Sequence, residues 1–144
     1  MKDDRLDDVF IYLIERTERQ IKRYANAALL SEGIEISPEQ WVLLKRIGER
    51  EKINQRELAE LTFKDPASVT RTLDLLEKNG LVRRESMEGD RRAYHLLLTA
   101  SGVELVERIT PVAQAVRARG LRNISADELE QFKQTLHKIY ENYT

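Results

Sequence analysis

At Gly80 the hydrophobic rhythm of this 144-residue chain changes, and that change constrains the fold more than any other single feature. Before Gly80, apolar residues recur at helical steps of three and four; after it they alternate. Leu81-Val82-Arg83-Arg84-Glu85 and Ala93-Tyr94-His95-Leu96-Leu97-Leu98 read as strands. The polar run Ser86 to Arg92, which contains Gly89, closes them into an antiparallel hairpin. Ile53 can add a short third strand.

Helices are punctuated on both sides of that hairpin. Asp3 or Asp4 can cap a first long helix with apolar positions at Leu6, Phe10, Leu13, Ile21, Tyr24 and Ala28, ending before Gly33. Ser37-Pro38-Glu39-Gln40 is a capping box with Pro at the first helical position, and Trp41, Leu44 and Ile47 then face inward. Asn54-Gln55-Arg56-Glu57 repeats that logic for a short helix to about Leu61. Asp65-Pro66 opens a fourth, which runs to Lys78 and stops at Asn79-Gly80. Thr99 caps a fifth helix carrying Val103, Val106, Ile109, Ala113 and Val116, with Pro111 expected to kink it and Gly120 to end it. Ser125-Ala126-Asp127-Glu128 opens the last, with Leu129, Phe132, Leu136, Ile139 and Tyr143. The expected order is α-α-α-α-β-β-α-α, with neither a linker nor a repeat dividing it.

Composition narrows the function classes. No apolar run approaches the roughly 20 residues needed to span a bilayer, and the acidic N-terminus does not suit a secretory signal. Without cysteine the chain has no disulfide framework and no thiol switch, and a cytoplasmic location is expected. There is no Gly-rich phosphate loop, no His–Glu–x–x–His run, no cysteine nucleophile and no Gly–x–Ser–x–Gly elbow, so an enzyme is not expected, nor a cofactor. His95 and His137 lack metal-ligand spacing and read as structural, with no metal site. Net charge is −1, and residues 37–99 hold 12 Lys and Arg against 11 Asp and Glu. A nucleic-acid role would therefore rest on charge placement, not on charge total.

Two short helices, the connection from Thr62 to Asp65, a strongly capped helix and a charged hairpin make a winged helix-turn-helix. An α-helix fits the major groove, and its N-terminal half reaches base edges. On the fourth helix Val69, Leu73 and Leu76 should face the core. Ser68, Arg71, Leu75 and Lys78 form the opposite stripe, with Thr70 on its flank. Arg71 is the best candidate base reader, because its fork matches both acceptors of a guanine; Ser68 and Thr70 suit a phosphate or one base edge. On the hairpin, Arg92 suits a narrow minor groove and Arg91 a phosphate. Asp90 makes sense there if it accepts from Arg92 and holds that side chain outstretched. Arg83 and Arg84 alternate sides, so at most one should face phosphate. Taken singly, Arg71 and Lys78 fit a solvated helix face, and Arg91 and Arg92 a hairpin kept soluble. Their adjacency favours recognition.

The run from Pro66 to Arg84, then Gly89-Asp90-Arg91-Arg92-Ala93 and Leu98-Thr99-Ala100-Ser101-Gly102, resembles the MarR (multiple antibiotic resistance regulator) family, as do the helix order and the length. The resemblance implies a transcriptional regulator, a repressor by preference, that binds a pseudo-palindromic double-stranded DNA operator as a homodimer. It places the residue matching Arg71 in the major groove and that matching Arg92 in the minor groove, braced by Asp90. Many members are released by small anionic or phenolic ligands, so a small aromatic or anionic effector is a further implied partner. Tyr24 and Trp41 are candidate lining residues, against their plainer reading as core aromatics.

The first, fifth and last helices each carry an apolar stripe that one lobe cannot bury alone, which points to a symmetry mate. The expected fold is mainly α with a small β-hairpin: one domain over 1–144, with a winged helix-turn-helix lobe at 37–99 and a helical dimerisation region at 1–36 and 100–144. The competing reading is a winged-helix module for protein–protein assembly that does not bind DNA.

Overall fold

The computed structural model describes residues 5–62, 65–87 and 90–144, the side chains of residue 87 and residues 90–93 excepted. Six α-helices and three short strands follow in the order α1 (Phe10–Ser31), α2 (Pro38–Glu49), β1 (Ile53–Asn54), α3 (Gln55–Thr62), α4 (Pro66–Lys78), β2 (Val82–Met87), β3 (Asp90–Leu98), α5 (Ala100–Gly120) and α6 (Ala126–Asn142).

The start of α1 differs from expectation. Asp3 and Asp4 lie outside the described residues, and Leu6 belongs to a separate 3-10 turn, Leu6–Asp8. The helix begins at Phe10 behind an extended Val9 that offers no side-chain cap. A β-branched residue favours that extended backbone, and it interrupts the helical path that the apolar spacing suggested. At the other end Gly33 takes φ +71, while its N–H and that of Ile34 bond back to Leu30 and Leu29. That is a Schellman turn, with Ile34 packed against Leu29 in the core.

The remaining caps follow the sequence closely. Ser37 and Gln40 form a complete capping box on α2, as do Ser125 and Glu128 on α6. Asn54 Oδ1 accepts from Glu57 N at 2.8 Å, but Glu57 Oε1 takes the Asn54 side-chain amide at 2.6 Å instead of its backbone N–H. Thr99 accepts from Gly102 N, and α5 continues through Pro111 as one element to Gly120.

Ile53 and Asn54 pair with Leu96 and His95, so the hairpin becomes a three-stranded antiparallel sheet of order β1-β3-β2. The hairpin itself is longer than its polar loop suggested. Strand pairing extends through Met87 and Asp90, with the register jumping between Ser86↔Tyr94 and Met87↔Asp90. Backbone pairing does not depend on apolar side chains, and the irregularity absorbs the extra residues as a bulge.

One core lies under this arrangement. Leu43, Leu44 and Ile47 of α2 meet Leu58 of α3, Val69, Leu73 and Leu76 of α4, Ile53, Val82 and Leu96 of the sheet, and Ile109 of α5. Outside it, α6 buries none of its residues. Phe10, Ile11, Ile14 and Ile21 of α1 and Phe132 and Tyr140 of α6 stand exposed.

Candidate nucleic-acid interface

The fourth helix is built to present one face. Pro66 at its first position needs no donor, and Asp65 supplies the missing acceptor: Oδ1 takes Ser68 N at 2.9 Å and Oδ2 takes the Ser68 hydroxyl at 2.6 Å. These bonds, the hydroxyl first, hold the Asp65 carboxyl below the usual carboxylate range, with the charge of Arg71 adding to them. Arg71 in turn donates from Nη2 to Ser68 Oγ at 3.1 Å. Val69, Leu73 and Leu76 face the core as expected, and Arg71, Leu75 and Lys78 are exposed on the other side.

Ser68 and Arg71 are therefore brought together in a chain that starts at Asp65. Thr70 points elsewhere. Its hydroxyl donates to Pro66 O at 2.9 Å and accepts from Gln55 Nε2 at 2.7 Å, which ties α3 to α4 across the helix-turn-helix. Gln55 carries no sign of this in the sequence, because its partner is fifteen residues away.

On the hairpin, Asp90, Arg91 and Arg92 begin β3, and their side chains lie outside the described residues. Arg83 pairs with Glu85 at 2.9 Å on one side of β2. Arg84, on the other side with buried Val82, meets Glu77 at 2.5 Å and Asp74 at 3.1 Å, both on α4. The shared parity of Val82 and Arg84 was the one sequence signal that Arg84 turns toward the helix.

Trp41 and Tyr24 fall into separate cavities. Trp41 lines one of about 250 Å³ with Ile21, Leu29, Ile109, Val116 and two cations, Lys22 and Arg117. Its indole Nε1 is buried without a hydrogen-bond partner among the described residues. Lys22 also reaches Glu18 at 3.0 Å and Glu39 of α2 at 3.2 Å, and these bonds raise its pKa above the ordinary lysine value. Tyr24 lies in the neighbouring cavity with Glu32 and Arg108, and Arg119 sits 5.2 Å from its ring centre.

A model of the MarR family matches residues 36–94, which span α2 to the middle of β3. Among solved structures, a probable transcriptional regulator from Pseudomonas aeruginosa is 25% identical with a TM-score of 0.85, over 94% of this chain and 99% of that one. MepR from S. aureus, solved as a DNA complex, is 25% identical with a TM-score of 0.84, over 93% and 98%. A mutant MarR from E. coli complexed with operator DNA is 26% identical with a TM-score of 0.81, over 88% and 90%. Among the described residues no helix is long and apolar enough to cross a membrane. The helix-turn-helix and the adjoining hairpin match the MarR family model over residues 36–94, and the order of the flanking helices matches the solved regulators, so the chain is similar to the MarR family of winged-helix transcriptional regulators.

Proposed function

We propose that this protein binds a pseudo-palindromic DNA operator as a homodimer, represses transcription there, and leaves the operator when a small aromatic or anionic effector binds. The observation that carries the reading is α4 itself. Its apolar stripe is buried, its N-terminus is capped and exposed, and Arg71 stands on the outward face of a helix that the hairpin meets at Asp74 and Glu77. The two relatives solved with DNA support it.

In this reading α4 enters the major groove, with Arg71 addressing a guanine and Ser68 and Lys78 near the backbone. The hairpin reaches the minor groove through Arg92, braced by Asp90, with Arg91 on phosphate. Thr70 serves by locking α3 to α4. Dimerisation through residues 1–36 and 100–144 would cover the exposed apolar side chains of α1 and α6 and set two copies of α4 about one DNA turn apart. The cavity beside Trp41 suits a flat acid: apolar walls for the ring, Lys22 and Arg117 for the carboxylate, and an unpaired indole N–H for a further acceptor.

Fluorescence anisotropy against a labelled duplex recovered from a random pool, at two salt concentrations, tests the reading. A DNA binder loses affinity with a log–log slope of about −0.9 per phosphate neutralised, and Arg71→Ala costs about 1–3 kcal/mol with relaxed base preference. A protein that recovers no duplex from the pool would instead favour the protein-assembly reading.

A further inference from the structure

Arg84 sits where the hairpin leaves the recognition helix. Only Asn79, Gly80 and Leu81 separate α4 from β2. That backbone is already held, because Gly80 N bonds to Glu77 O and Leu81 N to Leu76 O, and the Thr99 hydroxyl donates to Gly80 O at 2.6 Å. These bonds, together with Val82 and Leu96 in the core and the pairing of β3 with β1, hold the base of the hairpin. They leave a six-residue strand projecting from it, and a strand of that length extends about 17–20 Å. A rotation of only about 10° at the base would move the tip by about 3 Å, enough to lose a hydrogen bond.

Arg84 adds a direct side-chain link from β2 to the outer face of α4. Its guanidinium takes Glu77 on one nitrogen and Asp74 on the other. Those two acids are three residues apart on α4 and so lie side by side on its surface. A planar fork gripping two carboxylates resists pivoting in a way that a single ammonium contact does not. The Arg84 side chain is 26% exposed, against 57% for Arg83, so it is also the more enclosed of the pair.

We infer that Arg84 is a positioning residue which, by bridging Asp74 and Glu77, sets the angle of the wing to the recognition helix, so that the two read DNA as one body. This rests on the DNA-binding reading for its function, but its structural content does not. Exposed ion pairs add little to stability, so the contribution lies in orientation.

The chain has no cysteine, which permits clean spin labelling at Ala67→Cys on α4 and Ser86→Cys on β2, with labelled protein diluted into unlabelled. The distance distribution should be narrow in the parent and markedly broader in Asp74→Asn/Glu77→Gln, which removes the bridge and retains Arg84. An unchanged distribution would overturn the inference whatever the protein does with DNA. The same pair of substitutions adds two units of positive charge, so if Arg84 is a phosphate contact, or only local charge matters, affinity for a selected duplex must rise. If Arg84 positions the wing, affinity should instead fall, by ~3-fold or more, with melting temperature held and with Arg84→Lys restoring only part of what Arg84→Met loses. A parent that recovers no duplex overturns the DNA reading while leaving the distance measurement to decide the bridge.

Discussion

Replacing Gly102 with Ala sets helix propensity against sterics, and the structure decides which wins. Gly102 lies in the first turn of α5, where Ala is favoured over Gly by about 0.5–1 kcal/mol in an unobstructed helix. Here a Cβ would stand 2.1 Å from the carbonyl oxygen of Leu81 and 3.1 Å from its carbon. Relief requires a shift of about 1 Å between α5 and the turn after α4, a cost of about 1–3 kcal/mol for an overpacked site. That shift strains two bonds, Thr99 N to Leu81 O at 3.0 Å and the Thr99 hydroxyl to Gly80 O, each worth about 1 kcal/mol. The net expectation is a loss of about 1–3 kcal/mol, or a fall in melting temperature of about 3–10 °C at this size. Gly120, at the far end of the same helix, meets nothing within 4 Å of its would-be Cβ, so Gly120→Ala should be neutral or gain up to about 1 kcal/mol. Thermal and urea unfolding by circular dichroism, at one fixed protein concentration, compare the two. A Gly102→Ala variant as stable as the parent would refute the close-packing argument.

At Asp65, protonation removes the acceptor that Ser68 needs. Because its pKa is lowered on folding, its contribution is complete above the unfolded value and fades as pH falls through the folded one. Asp65→Asn, which caps about as well, should match the parent near neutrality and flatten this part of the acid dependence of the urea midpoint; identical pH profiles would contradict it. Phe132→Asp places a charge on an apolar side chain that is 58% exposed in the single chain, and light scattering should show dissociation to smaller species if α6 forms the dimer contact. The single tryptophan is a built-in probe of its cavity: benzoate should change Trp41 fluorescence saturably, and Lys22→Met/Arg117→Met should weaken that response at least several-fold. No saturation, or no effect of the two substitutions, would argue against an acid site there.

What could be read from sequence divides by range of interaction. Ser37, Asp65, Thr99 and Ser125 were legible as caps because the accepting side chain and the donating N–H lie three residues apart. The inward stripe of α4 followed from period alone. The start of α1 was not legible, since acids at 3, 4, 7 and 8 all resemble caps and the actual boundary, Val9, has no capping side chain. Strand ends in the wing were missed because the mostly polar run from Ser86 to Arg92 carries no apolar alternation to detect. The braces Gln55–Thr70 and Arg84–Asp74–Glu77 bridge seven to fifteen residues and depend on how α3, α4 and β2 pack. For the same reason no sequence pattern separated Trp41 from Tyr24 into two cavities.

The near-neutral lobe becomes intelligible once its charges are placed. Arg84 is matched to two carboxylates, Arg83 to Glu85 and Arg56 to Glu60, so much of the balance between 12 cations and 11 acids is internal pairing. Arg71 differs in kind. Its hydrogen bond goes to a neutral hydroxyl, that of Ser68, which is itself committed to Asp65. A bond to a hydroxyl is weaker than one to a carboxylate, so exchanging it for a guanine edge costs less than opening an ion pair. On the proposed reading, holding Arg71 by Ser68 keeps its charge available to DNA, whereas Arg84, bonded to two carboxylates, serves geometry. The two proposed roles, for arginines thirteen positions apart in one lobe, thus follow from the charge state of the oxygen each one meets.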